Sequence, residues 1–272
     1  MYYYRRMYFL CLLSFFCQIC VVKTYAQESE TEIVKWVQRE NKKCPVNANN
    51  GQIITKLSYK NKQLNVYATY DKSLLPFSSE LLSSEKVSTF KRLMLKMLLL
   101  DQNNRLIINH LINSSATMKY NYISSSLDGK FSILFSQSEL RNGYNKYSKL
   151  SDEMIYVEIQ METANLYLPH MIEDGIIYNR VYFDDNLNSI VMEYEIDETK
   201  HNFKNYQLNK TQLKTQAMID IQSIITKYSN YKKTYEICSK FNKFIRYKYI
   251  SNPSRSVVEI IITPAELHRI IN

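Results

Sequence analysis

The stretch that decides the fold is Met118–Arg141, MKYNYISSSLDGKFSILFSQSELR, because it occurs twice. Moved 127 residues along without a gap, it lies on Ile245–His268, IRYKYISNPSRSVVEIIITPAELH. Tyr120/Tyr247, Tyr122/Tyr249, Ile123/Ile250, Ser124/Ser251, Ile133/Ile260, Glu139/Glu266 and Leu140/Leu267 are identical pairs. Each copy is two alternating apolar runs around a short polar turn, Asp128-Gly129 in one and Asn252-Pro253 in the other, which is the pattern of a β-hairpin. The chain before the hairpin repeats as well, at an offset of 124: Asn41/Asn165, Pro45/Pro169, Gly51/Gly175, Ile53/Ile177 and Tyr70/Tyr194 coincide. The change of offset falls, on this reading, in the intervening helical segment, where a length change is readily absorbed.

Working outward, Glu28–Lys43 has Ile33, Trp36 and Val37 on one helical face, and Pro45 ends it. Ile53–Tyr59 and Leu64–Tyr70 alternate as strands. Val87, Phe90, Leu93 or Met94, and Met97 recur at helical spacing after a cap at Ser83 or Ser84. In the second copy Asn209 and Gln212 have capping-box spacing ahead of Leu213, Ala217, Ile221 and Ile224. Ile155, Val157, Ile159 and Met161 alternate like a strand, yet they align with the first helix, and the repeat argues for helix. The expected fold is α+β: a tandem duplication of an α-β-β-α-β-β unit, with antiparallel sheets and helices packed on one face. The expected boundaries are a first unit over 27–141, a polar linker over 142–151 and a second unit over 152–272.

Residues 1–26 stand apart. Arg5 and Arg6 precede an apolar run, and Thr24-Tyr25-Ala26 places small residues at the −3 and −1 positions of a cut before Gln27, as in a secretory signal peptide. The run is shorter than the roughly 18–20 residues a membrane span needs. The expectation is an exported bacterial protein, periplasmic or secreted, which touches a membrane only through an uncleaved signal. Losing Arg5, Arg6 and Lys23 takes the formal charge from +9 to +6. A mild positive charge spread along the chain is a solubility feature, and export removes nucleic acid as a partner. Three of the five cysteines lie in this segment; Cys44 and Cys238 remain, able to form one disulfide or to stay as buried thiols.

Asn41-Lys42-Lys43-Cys44-Pro45, then Gly51, a strand ending in alternate tyrosines, and a late hairpin with Tyr247, Tyr249 and Ile262-Thr263-Pro264 resemble a family of exported, uncharacterised bacterial proteins. In that family Asn-x-x-Cys-Pro precedes the first strand and a Tyr-x-Tyr strand precedes Ile-Thr-Pro. The second unit departs from the pattern with Leu168 in place of the cysteine, and the first with Phe135-Ser136-Gln137 in place of Ile-Thr-Pro. The architecture is also similar to that of the secreted β-lactamase-inhibitor protein, a tandem of helix-plus-four-strand units. Neither likeness implies an activity.

The four histidines lack metal-ligand spacing, no Cys-x-x-Cys occurs, and four scattered glycines cannot build a nucleotide loop or a nucleophile elbow. No metal and no cofactor is expected. Glu139 and Glu266, kept in both copies, read first as helix-start carboxylates favoured by the helix dipole. As an acid–base pair they would serve a hydrolase at the junction of the repeats. Tyr120, Tyr122, Tyr247 and Tyr249 read first as core; on a solvated face they would form an aromatic strip for a sugar, peptide or protein. Taken together, the sequence leads to the expectation of a non-catalytic, inhibitor- or immunity-like or envelope-associated protein that binds a protein or an envelope polymer, with the carboxylate hydrolase as the alternative.

Overall fold

The computed structural model describes residues 25–47, 52–70, 84–124 and 129–272. The apolar part of the expected signal, the turn at Gly51, the Ser83 cap and the hairpin turn at Asp128 lie outside the described residues. The chain divides into two compact units, Met1–Val87 with Leu98–Lys149, and Ser88–Met97 with Leu150–Asn272.

In the first unit a helix α1 over 25–41 precedes the strands β1 (Val46–Asn47), β2 (Gln52–Lys60) and β3 (Gln63–Tyr70). Then come α2 (Ser84–Leu100), whose stretch Ser88–Met97 belongs to the second unit, α3 (Gln102–Asn113), the hairpin β4 (Thr117–Ser124) and β5 (Lys130–Phe135), and α4 (Gln137–Tyr147). The second unit repeats the order. It runs α5 (Asp152–Tyr167), β6 (His170–Glu173), β7 (Ile176–Asp184), β8 (Ser189–Asp197), α6 (Phe203–Leu208), α7 (Lys210–Lys227), α8 (Ser229–Lys240), β9 (Phe244–Asn252), β10 (Val257–Ile262) and α9 (Pro264–Ile271). The fold is thus α+β in two similar halves, each a five-stranded sheet with helices alongside.

Two features go beyond the expected unit. Each sheet is mixed: its central pair, β3·β4 or β8·β9, is parallel, and its other pairs are antiparallel. The helices between the central strands return the chain to the end it left, so the next strand must run in the same direction. Each hairpin also leads into a further helix, α4 or α9. The segment expected as a linker therefore holds the end of α4, and its last residue, Ser151, caps α5 by accepting from the Met154 amide. The hairpins themselves are as read: Tyr120 pairs with Ile133, and Tyr247 with Ile260.

The duplication extends to single hydrogen bonds. Asn41 at the end of α1 spans the backbone of Leu57 on β2: its Nδ2 donates to the Leu57 carbonyl (2.8 Å), and the Leu57 amide donates to its Oδ1 (2.7 Å). Asn165 holds Val181 on β7 in the same way, at 2.7 and 2.9 Å. These backbone groups lie beyond the reach of the short strands β1 and β6, so a side-chain amide stands in for a neighbouring strand. A bulge follows the same rule, at Thr55 in one copy and Asn179 in the other. The helix ends match too. Ser115 and Asn242 have φ of 55° and 53°, and the amides of Ala116 and Lys243 donate to the carbonyls of Leu111 and Cys238 at 2.8 Å, the Schellman arrangement.

The register corrects one equivalence. Tyr70 pairs with Gln52 and Ser124; the residue so placed in the second sheet is Ile196, paired with Ile176 and Ser251. Tyr194 corresponds instead to Ala68. Two of the three residues of offset change lie in the strand turn: β2 and β3 are joined by Asn61 and Lys62, both at positive φ, whereas Asp185–Asn188 joins β7 to β8. A turn gains residues without disturbing the register on either side. The last step is in the helices, where α7 has 18 residues against 17 in α2.

Three local expectations resolve likewise. Residues 152–167 are helical: the strand-like alternation arises because α5 buries two adjoining faces, one with Met154, Val157 and Met161 and one with Glu158 and Glu162. Asn209 does not cap α7; it closes α6, and its backbone lies away from the extended geometry a cap requires. Met97 is exposed, and its neighbour Lys96 is buried.

Replacing Asn41 or Asn165 by Ala leaves a buried strand N–H and C=O unpaired. Each change is expected to cost about 1–3 kcal/mol in urea unfolding, and Asp, which keeps the acceptor, less than Ala.

Candidate functional site

The tyrosines of the repeated hairpin face the helices. Tyr120 and Tyr122 are 6% and 1% exposed and stack on each other at 5.8 Å, with Phe131 stacked on Tyr122 at 4.8 Å. Tyr247 is buried and Tyr249 half-buried; Tyr194 stacks on them at 6.2 and 5.3 Å. Burial pushes the phenol of Tyr249 up to about 12, and those of Tyr120, Tyr122 and Tyr247 further, so all four are neutral. The solvated face that an aromatic strip requires is not where these rings lie.

Glu139 and Glu266 occupy matching capping boxes. Glu139 accepts from the Ser136 amide at 2.7 Å and Glu266 from the Thr263 amide at 2.9 Å, while each cap hydroxyl accepts from the glutamate's own amide at 3.2 Å. Lys214 adds an ion pair to Glu266 at 2.7 Å. That hydrogen bond first, and those from Thr263 next, hold the Glu266 carboxyl down to about 2. Cys44 and Cys238 are both free thiols. Burial raises the Cys44 thiol and pushes Cys238 up to about 12, so neither is a thiolate at neutral pH.

The most buried charges had no sequence signal beyond helical spacing. In the second unit Lys96, 1% exposed, donates to Glu158 at 2.6 Å and to Glu162 at 2.9 Å. Arg92 forks onto Glu162 at 2.9 and 3.2 Å. Glu158 and Glu162 are four apart on α5, as Arg92 and Lys96 are on α2, so two helix faces meet as two like-charged pairs that neutralise each other. The carboxylates are engaged by fixed cations, a packing role. On the second sheet Glu193 accepts from Arg180 (2.9 Å) and Lys248 (3.3 Å) across three strands. Burial works to raise its carboxyl, but these two partners outweigh it and hold it below the usual range.

Among the described residues, one feature with room for a ligand and mainly apolar walls is a cavity of about 160 Å³ in the first unit, between α1, α3 and strands β2 to β4. Its walls are mainly apolar, with Trp36, Ile54, Ile108 and Tyr120 among them; Glu40, Cys44 and Asn104 contribute the polar atoms. Trp36 is the only tryptophan in the chain. Arg39 and Lys43 pair with Glu40 at 2.9 and 2.8 Å. Sequence reasoning takes Trp36 for core and passes over Ile54 and Ile108. The usable signal is a difference between the copies: the counterparts of Ile54, Asn104 and Ile108 are Tyr178, Tyr231 and Tyr235.

Among the described residues, no three His, Cys, Asp or Glu side chains are grouped to hold a metal ion, and no helix is long and apolar enough to cross a membrane. No protein-family model matches the chain, and no curated protein matches it. Among solved structures it is similar to one described as a "putative secreted protein" from Pseudomonas aeruginosa, with 9% identity and a TM-score of 0.34, over 41% of this chain and 88% of that one.

Two outcomes follow from the charges. A carboxyl depressed in the folded state stabilises fully above its ordinary value, so the Glu266 contribution is complete above pH 4.5 and lost as pH falls towards about 2. Glu266→Gln is expected to flatten the stability profile in that window, as read by unfolding at stepped pH. Lys96→Met takes the cation from buried Glu158 and leaves Glu162 to Arg92 alone, and it is expected to cost about 3–5 kcal/mol, checked by denaturant unfolding at neutral pH.

Proposed function

We propose that the chain is an exported binding protein whose binding site is the apolar cavity of its first unit. Export is supported by the charge, apolar and small-residue pattern of residues 1–26. The binding role is supported by one observation above the others: the two copies of one scaffold exchange side chains where the cavity lies, aliphatic for aromatic on the sheet and on α3, and Trp36 and Glu40 for Gln160 and Ala164 on the first helix. Ile54 and Ile108 line it in the first unit, and their counterparts in the second are the larger Tyr178 and Tyr235, the latter buried in that unit's core. A native core is packed to the density of an organic crystal, and an unfilled space costs stability in proportion to its volume. This space is partly open to solvent, and apolar surface left facing water there is a cost to the apo protein that an occupant relieves.

The cavity admits a single small apolar group. A sugar chain would bring hydroxyls that these walls cannot pair. Small-molecule sites are of this kind: concave, mostly apolar, with a few polar groups to orient the ligand.

The test is a titration of the purified full chain with a panel of small neutral aryl, cycloalkyl and linear alkyl compounds, following Trp36 emission. A saturable one-to-one change with at least one class is the expected result, together with a rise in melting temperature at saturation. Failure of every class to change the emission or the melting curve overturns the reading.

A further inference from the structure

The second unit carries its own answer to what the cavity takes. The two sheets share bulge, register and helix ends, so a residue of one unit reports what the same place accepts in the other. At the position of Ile54 the second unit has Tyr178, whose ring stacks on Tyr194 at 4.7 Å, and Tyr194 stacks in turn on Tyr247. Tyr247 is the counterpart of Tyr120, a wall of the first-unit cavity. At the position of Ile108 it has Tyr235, fully packed in the core. The second unit thus places phenol rings where the first has shorter aliphatic chains, and Gln160 where the first has the Trp36 ring. We infer that the first-unit cavity binds one small neutral aryl molecule of phenol size, the ring lying against Trp36 and Tyr120 and its single polar substituent at the Glu40–Asn104 side. This inference rests on the cavity being the binding site.

Size, wall chemistry and charge each narrow the ligand. A cavity of about 150 Å³ accepts a benzene-sized guest, and this one, partly open to solvent, is about 160 Å³. Two aromatic walls favour an aromatic guest over a saturated ring of equal size, because ring pairs gain beyond the area they bury. The polar rim has an acceptor carboxylate, Glu40, held ionised below its usual range although burial opposes it, because Lys43 and Arg39 prevail. Those cations satisfy its charge from the solvent side. A ligand anion entering from the apolar side would meet that carboxylate and lose its own hydration, whereas a neutral hydroxyl can donate.

The experiment compares phenol, cyclohexanol, a linear alkanol of like volume and benzoate on the full chain, by Trp36 emission and by calorimetry. Phenol is expected to bind one-to-one and roughly three- to tenfold tighter than cyclohexanol, the range that aromatic pairing supplies, and benzoate not to bind. Two variants import the second unit's own rings, Ile54→Tyr and Ile108→Tyr. Ile54 is only half-buried, so Ile54→Tyr has room to fold even if Ile108→Tyr does not. A folded variant, judged by circular dichroism and a cooperative melt, is expected to lose at least about tenfold in phenol affinity. Equal binding of phenol and cyclohexanol, tight binding of benzoate, or an Ile54→Tyr protein that keeps full phenol affinity overturns the aryl assignment. In the first two cases the cavity remains a binding site; if no compound binds the parent chain, both readings fall.

Discussion

Each sheet is organised by one side-chain amide laid against a strand. Asn41 and Asn165 each satisfy both backbone groups of the residue they face, sixteen positions further along the chain. A strand at the edge of a sheet exposes a row of unpaired donors and acceptors. Here β1 covers only part of that row on β2, and the asparagine closes the next gap from the end of a helix. The bond therefore fixes the height and angle at which α1 or α5 crosses the sheet. Trp36 is one and a half turns before Asn41 on the same helix, so this fixed crossing also holds the tryptophan over the strands and sets the depth of the cavity.

The Asn-x-x-Cys-Pro stretch from Asn41 to Pro45 acquires a physical meaning from this. In Asn-x-x-Cys-Pro the asparagine is the clamp and the proline begins the turn into the short edge strand; the cysteine lies between them as one wall of the cavity. The second copy keeps Asn165 and Pro169 and replaces only the cysteine, with the bulkier Leu168. What the two halves share is what the backbone needs, and what they change is what fills the space under the helices.

How much of this was legible in the sequence follows the same division. The alternating hairpin and the helical nature of α5 could be read because periodicity and self-similarity are local properties. The parallel central pairs could not, since nothing in a strand's own residues records the direction of its neighbour. Equating Tyr70 with Tyr194 failed for a related reason: identity at a constant offset is no guide once a turn has gained two residues, and only the register shows that Ile196 is the true counterpart. Glu139 and Glu266 were readable as helix-start carboxylates because both copies keep them at the end of the hairpin. The cluster of Arg92, Lys96, Glu158 and Glu162 needed the packed helices to be seen at all. The cavity was present in the sequence only as an exchange of side chains, with aliphatic residues matching tyrosines and Trp36 matching Gln160.

That difference in side chains bears on how a duplicated chain folds. Two similar halves in one polypeptide invite exchange of equivalent segments, a recurrent misassembly of repeat proteins. Strand β7 seated in the first sheet would force the Tyr178 ring against α1. Strand β2 seated in the second would leave the stack on Tyr194 without its partner. A swapped α3 and α8 would carry the same penalties through Ile108 and Tyr235. The different placing of rings in the two halves thus lets each strand and helix recognise its own half during folding, although the two share strand order and register.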